Sequence, residues 1–144
     1  MQPGWPAAPR QVGALDTVQG TVEVSVVGST AYVATRAGLV VVDITDPTAP
    51  RQLGAHYTSA SANGISVSGT TAYACNFNGL RIVDVSDPAN PTPLGMYDTP
   101  GITTGVAVSG TTAYMAAGAG GLVIVGATNP ASPVLLGAYD TPGD

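Results

Sequence analysis

Charge, and positive charge above all, is scarce in this sequence of 144 residues. It contains no lysine, and its four basic side chains are Arg10, Arg36, Arg51 and Arg81. Charged residues make up 9% of the chain, against roughly 25% in an average globular protein, and the formal net charge is −5. Binding to nucleic acid or to an anionic membrane requires a basic surface. The sequence therefore excludes both classes of partner.

Cysteine, histidine and long apolar runs are also scarce. No run approaches the roughly 20 residues of a membrane-spanning helix, so we expect no membrane insertion. Cys75 is the only cysteine, which excludes an internal disulfide, and we interpret it as a small buried side chain. His56 is the only histidine and has no partner pattern around it, so we predict a packed aromatic replacement. The first residues lack the basic start and apolar stretch of a signal peptide.

Repetition is what the sequence has in abundance. The phrases GLVVVDITDPTAPRQLG (38–54), GLRIVDVSDPANPTPLG (79–95) and GLVIVGATNPASPVLLG (121–137) begin 41 and then 42 residues apart. A half-unit precedes them, because residues 9–28 match residues 91–110. We therefore predict an N-terminal extension at 1–8 and one domain at 9–144. This domain holds an outer half-repeat at 9–23 and repeats at about 24–64, 65–105 and 106–144.

Each unit has the local chemistry of four short strands. The runs GVAVSG, TTAYACN, LRIVDV and TPLGMYDT alternate or are rich in β-branched and aromatic residues. Asn78-Gly79 predicts a hairpin turn, and each Asp-Pro or Asn-Pro pair predicts a turn before the fourth strand. Four antiparallel strands per unit of this length are typical of a β-propeller blade. We predict an all-β fold with three blades per chain and an extra N-terminal outer strand at residues 12–17.

The motifs GLVVVD, GLRIVD and GLVIVG, each followed by Asp-Pro or Asn-Pro and then by Leu-Gly, resemble the LVIVD repeat family. The resemblance covers roughly residues 9–143 and implies a propeller, with no particular activity. It also implies an extracellular or cell-surface location. Gly126 departs from the pattern, because Asp43 and Asp84 stand at this place in the other units. Any site built from that aspartate would be missing in the third unit.

Acidic side chains are the remaining candidates for a cation site: Asp43, Asp46, Asp84, Asp87 and Glu23. The four aspartates share the spacing D-x-[ST]-D-P, but a calcium loop needs more oxygen ligands and a central glycine, which favours a turn-forming role. Glu23 occupies the inner-strand position of Gly64 and Gly105, which predicts a charge near the axis of a ring. A weak cation site there is the alternative to a solvated side chain. We expect no catalytic residue, cofactor or metal site.

Three blades are too few for a ring, since propellers typically contain four to eight. An open stack would leave two apolar faces in water, so we predict self-association, with a six-bladed homodimer favoured over a nine-bladed trimer. The similar units and a start inside a repeat suggest an excised or engineered fragment. The leading hypothesis is a non-catalytic structural module whose partner is itself. The alternatives are a surface ligand-binding or adhesion module and, less favoured, a propeller enzyme.

Overall fold

The computed structural model describes residues 8–17, 20–58, 61–99 and 101–140. The predicted N-terminal extension at 1–8 therefore lies outside the described residues, except for residue 8. Regular structure within these ranges is β-strand, apart from one 3-10 turn at Gly118–Gly120. None of this part of the chain forms a helix with the length and apolar character needed to cross a membrane.

Twelve strands in the described residues form three four-stranded antiparallel sheets, which we call blades 1, 2 and 3. Blade 1 consists of β1 (Thr21–Val27), β2 (Thr30–Thr35), β3 (Gly38–Asp43) and β4 (Arg51–Tyr57). Blade 2 consists of β5 (Gly64–Ser68), β6 (Thr71–Asn76), β7 (Gly79–Asp84) and β8 (Thr92–Asp98). Blade 3 consists of β9 (Gly105–Ser109), β10 (Thr112–Ala116), β11 (Leu122–Gly126) and β12 (Val134–Tyr139). The strands of each blade pair in chain order, which confirms the predicted all-β fold with three propeller blades.

The turn between the second and third strands differs from the prediction. In blade 2 the turn residues are Phe77 and Asn78, and β7 already begins at Gly79, so the predicted turn lies one residue too late. Gly79 has a φ of +140°, and a Cβ there would clash with the carbonyl oxygen of Tyr97 on β8. The glycine is therefore needed for close strand approach and not for the turn itself.

The blades stack face to face and bury one core between each pair. For each blade we call the side toward the preceding blade its leading face and the side toward the following blade its trailing face. Between blades 1 and 2, Tyr32 and Val41 on a trailing face pack against Ile65 and Val83 on a leading face. The equivalent core between blades 2 and 3 contains the residues Tyr73, Leu80, Ile82, Met115, Val123 and Val125. The repeated apolar positions thus encode two copies of one interface.

The predicted extra outer strand at residues 12–17 is wrong as a strand. Residues 8–17 carry no strand assignment, and none of the three sheets in the described residues includes them. The segment nevertheless lies against blade 1, where Gly13 touches the backbone at Pro47 and Thr48. It therefore occupies an outer position without pairing in a sheet.

Candidate functional site

The inner strands β1, β5 and β9 converge at the narrow side of the stack. A Cβ on Gly64 would lie 3.1 Å from Glu23 Oε1 and 3.2 Å from the Cα of Gly105. Both distances are tighter than ordinary van der Waals contacts. Glycine at position 64 therefore lets neighbouring blades approach closely at this side.

Glu23 has a function that the sequence did not show. Its Oε1 atom accepts a hydrogen bond of 2.8 Å from the backbone N–H of Ile65, so the side chain joins blade 1 to blade 2. Gly64 and Gly105 at the equivalent positions provide no such acceptor. Glu23 remains exposed at the inner side, as predicted, but as an acceptor that joins two blades. The two residues are 42 positions apart, and no local pattern predicts such a contact.

Cys75 is fully buried in β6. Burial first, and then the negative charge of Glu23, raise the pKa of the thiol to about 11. Nucleophilic and metal-binding cysteines react as thiolates. This thiol is therefore protonated and inert at neutral pH, which confirms its interpretation as a small buried side chain.

The aspartates of blade 1 stabilise their own turns. Asp43 Oδ1 accepts hydrogen bonds of 2.9 and 2.6 Å from the backbone N–H and the hydroxyl of Thr45. Asp46 Oδ1 binds Thr48 in the same way at 3.0 and 2.6 Å. These hydrogen bonds hold the pKa of both carboxyls below the ordinary value, and the bond from the hydroxyl contributes most. Asp43 also forms an ion pair with Arg51 at 3.3 Å.

Blade 2 repeats this arrangement. Asp84 Oδ1 accepts a hydrogen bond of 2.9 Å from the N–H of Ser86, and Asp87 Oδ1 accepts one of 3.1 Å from the N–H of Ala89. The turn-forming interpretation of these aspartates is therefore confirmed. Among the described residues, no three or more His, Cys, Asp or Glu side chains gather where they could share a metal ion.

His56 lies half-buried on β4, between blades 1 and 2. It lines a cavity of about 20 Å³ together with Cys75, Asn76 and Arg81, which is space for about one water molecule. No carboxylate belongs to the described lining, so nothing there orients the imidazole as a general base. The position agrees with a packed replacement for the aromatic residues of the other units.

A second connection between blades was also missed from the sequence. The hydroxyl of Thr103, which is fully buried, donates to the backbone carbonyl of Asn76 and lies 3.3 Å from that of Gly79. Asn63 Nδ2 donates to the carbonyl of Thr103 at 3.2 Å. Thr103 thus ties the crossover before blade 3 to blade 2. The only signal in the sequence was a threonine where the preceding unit has Ala62.

The trailing face of blade 3 is open. Tyr32 and Tyr73 on the trailing faces of blades 1 and 2 are 7% and 2% exposed, whereas Tyr114 at the same position of blade 3 is 40% exposed. Leu136 and Tyr139 on β12 are exposed as well. An open hollow of about 620 Å³ lies beside this face and reaches the inner side of the stack, where Glu23 of blade 1 lines it.

The leading face of blade 1 is open at its inner strand. Val24 and Val26 are 56% and 55% exposed, whereas Ile65 at the equivalent position of blade 2 is 4% exposed. Toward the outside of the same face, Val40 and Val42 are buried, and this is the side on which Gly13 lies against blade 1. The sequence predicted two exposed apolar faces. The trailing face of blade 3 is exposed, whereas the described residues of the leading face of blade 1 are exposed only at β1.

A likeness to a solved structure agrees with the fold. The chain resembles the β-propeller domain of Cps50 (Swd1) from Myceliophteria thermophila with a TM-score of 0.66 and 15% sequence identity. The match covers 90% of this chain and 41% of that chain, so three blades correspond to less than half of that propeller. At this identity the likeness concerns the fold alone. No curated protein matches the sequence.

The family assignment depends on the repeats themselves. The model of the LVIVD repeat matches three consecutive segments, residues 20–58, 59–99 and 100–141. Each match contains the four strands of one blade. The resemblance inferred from GLVVVD, GLRIVD and GLVIVG is thereby confirmed, and the chain belongs to the LVIVD repeat family.

Proposed function

We propose that this chain is a non-catalytic structural module that associates with further copies of itself to close a β-propeller. A six-bladed dimer is favoured and a nine-bladed trimer is second. The observation that carries the proposal is the pair of open apolar surfaces at the two ends of the stack, on the trailing face of blade 3 and on the inner strand β1 of blade 1. They repeat the residues of the interfaces that are closed within the chain.

The trailing face of blade 3 has the composition of a blade interface. Tyr114 stands where Tyr32 and Tyr73 stand, and both of those tyrosines belong to inter-blade cores. Exposed aromatic and aliphatic groups of this kind gain free energy when water is removed from them. Within the chain, the leading face of blade 2 covers Tyr32 and the leading face of blade 3 covers Tyr73.

The leading face of blade 1 supplies the matching surface. Val24 and Val26 occupy the positions of Ile65 and Val67, which pack in the core between blades 1 and 2. Because the two open faces differ, the contact between copies is head to tail, and repetition of such a contact generates a ring when its rotation closes.

The hollow beside blade 3 is explained by the same contact. Gly121 and Leu122 line that open hollow. Their equivalents Gly38 and Leu39 line the cavity of about 20 Å³ between blades 1 and 2. A following blade therefore fills the corresponding space within the chain. We infer that the leading face of a second copy fills the hollow at blade 3.

The non-catalytic part of the proposal is supported by the state of the reactive side chains. The carboxylates of Asp43, Asp46 and Asp84 accept hydrogen bonds from their own turns. The Cys75 thiol is buried and has a raised pKa. General acid–base catalysis needs such groups to converge in a pocket, and these lie in separate parts of the blades.

The experiment is a mass measurement by light scattering on the 144-residue chain across a range of concentrations, with blade counting by electron microscopy. We expect about twice the mass of 14.2 kDa for the dimer and about three times for the trimer. A chain that remains a monomer throughout the micromolar range contradicts the proposal. Oligomers that lack a central axis with radial blades would contradict it equally.

A further inference from the structure

We propose that residues 8–17 occupy the seat on blade 1 that strand β12 of a second copy must take, so that ring closure requires this segment to leave. The inference rests on the proposed self-association, and it identifies the segment that hinders this association. The seat is the turn between β3 and β4 around Pro47 and Thr48, and a glycine of an outer strand fills it.

Blades 2 and 3 have equivalent seats, and each is filled by the outer strand of the preceding blade. A Cβ on Gly54 of β4 would clash with the carbonyl oxygen of Pro88, in the turn of blade 2. A Cβ on Gly95 of β8 would clash with that of Pro130, in the turn of blade 3. The outer strand of each blade therefore lays a glycine on the turn of the next blade.

Gly13 fills the third seat, on blade 1. A Cβ on Gly13 would clash with the carbonyl oxygen of Pro47, as Gly54 and Gly95 do with the later prolines. Gly137 on β12 is the fourth glycine of this series, and a Cβ there would meet no atom of the described residues within 4 Å. In a closed ring, blade 3 of one copy precedes blade 1 of the next, so Gly13 and the second copy's β12 compete for one seat.

The backbone hydrogen bonds of β12 and of residues 8–17 determine which of these segments is displaced. Strand β12 is paired with β11 from Leu122↔Tyr139 to Gly126↔Val134. Residues 8–17 belong to no strand. Removing β12 from its sheet breaks a ladder of backbone hydrogen bonds, whereas displacing residues 8–17 breaks none of that kind. The segment is therefore the part that leaves, and the fraction of chains with an open seat scales the apparent affinity.

The test uses two variants of the full chain, Gly13→Val and Gly137→Val. Neither glycine is among those with positive φ, so valine is compatible with both backbones. In Gly13→Val the side chain clashes with Pro47 and expels the segment from the seat. We expect the apparent dissociation constant between copies, measured by analytical ultracentrifugation, to fall by about tenfold or more.

The valine of Gly137→Val meets open space in the single chain but would clash in the seat of a second copy. We expect a folded chain with the wild-type circular dichroism spectrum and melting temperature at high dilution, and with association weakened by at least about tenfold. Ala138→Val is the matched control, because residue 138 is the next residue on β12 and is exposed. It is expected to associate like the wild type.

The outcomes separate this inference from the proposed function. If the wild type remains a monomer throughout the micromolar range, the proposed self-association fails. If the wild type associates and Gly13→Val associates equally or more weakly, the function stands and the inference is overturned, since the segment is then neutral or part of the closed ring. Weakening by Ala138→Val as strong as that by Gly137→Val also overturns it.

Discussion

Blades 2 and 3 share one repeat pattern in different surroundings. Blade 2 is covered on both faces, and its Tyr73 is buried, whereas Tyr114 of blade 3 is open to solvent. Gly95 of blade 2 lies against a following turn, whereas no atom of the described residues lies within 4 Å of a Cβ placed on Gly137 of blade 3. The comparison shows that the repeat encodes a contact with the next blade as well as a sheet. Blade 3 retains that contact surface without a partner inside the chain.

The largest expected effect comes from replacing the equivalent tyrosines of blades 2 and 3 with alanine. Tyr73→Ala removes a buried aromatic ring from an inter-blade core, and we expect a loss of about 3–5 kcal/mol of unfolding free energy. Tyr114→Ala at high dilution should cost less than about 1 kcal/mol. Urea unfolding of both variants measures the difference. Equal costs at high dilution would show that the two blades are not in different surroundings.

The second comparison concerns the glycines of the outer strands. Gly95→Ala places a methyl group against the Pro130 backbone, and we expect destabilisation of about 1–3 kcal/mol. Gly137→Ala in the dilute single chain should be neutral within about 0.5 kcal/mol. Thermal unfolding at several protein concentrations checks both, and a neutral Gly95→Ala would contradict the close approach of β8 to the turn of blade 3.

A third prediction concerns pH and the interior of blade 2. The folded pKa of Cys75 is about 11, above its ordinary value of 9.0, so the folded chain holds a proton that the unfolded chain releases first. The stabilisation is complete below pH 9 and is lost as pH rises toward 11, by about 1–3 kcal/mol. Cys75→Ala should lack this part of the alkaline slope, because alanine does not titrate. The substitution should be tolerated, since alanine stands at the equivalent positions 34 and 116. Identical slopes in both proteins would refute the assignment to Cys75.

The smallest effect is expected at the exposed turns. Asp84→Gly gives blade 2 the residue that blade 3 has at Gly126 and removes the hydrogen bond to Ser86. The pKa of Asp84 is held below 3.8, chiefly by the Ser86 backbone N–H. Its contribution is therefore present above that pH and is lost as the pH falls. Unfolding should show a loss of stability that is smaller in acid than at neutral pH, because the hydrogen-bond part vanishes while the backbone entropy of glycine remains. A loss of the same size at both pH values would point to another cause.

The strands and blade number could be predicted because the repeat states each position three times. Alternation, β-branched residues and turn pairs agree between the units, so errors in one unit are corrected by the others. Interpretation failed where a residue is not repeated. Glu23 makes a contact that Gly64 and Gly105 cannot make, and Thr103 makes one that Ala62 cannot make. Such long-range hydrogen bonds leave no periodic trace.

The prediction of a strand at residues 12–17 was wrong for a different reason. Its sequence VGALDT is close to the LGAYDT of the third unit, and on pattern alone it is a strand. A strand, however, needs a neighbour for its backbone groups. The described part of the chain offers no blade before Gly13, so the position was predictable and the pairing was not.

The Glu23 position has a consequence for symmetry. Only one blade in three carries a carboxylate at the inner side, because glycine takes this place in the other two. Any ring assembled from copies would therefore have one acidic group per polypeptide around its central opening. A dimer would show two such groups facing each other, and a trimer would show three at the corners of a triangle. The internal pseudosymmetry of the blades would in this way be reduced to the true rotational symmetry of the assembly.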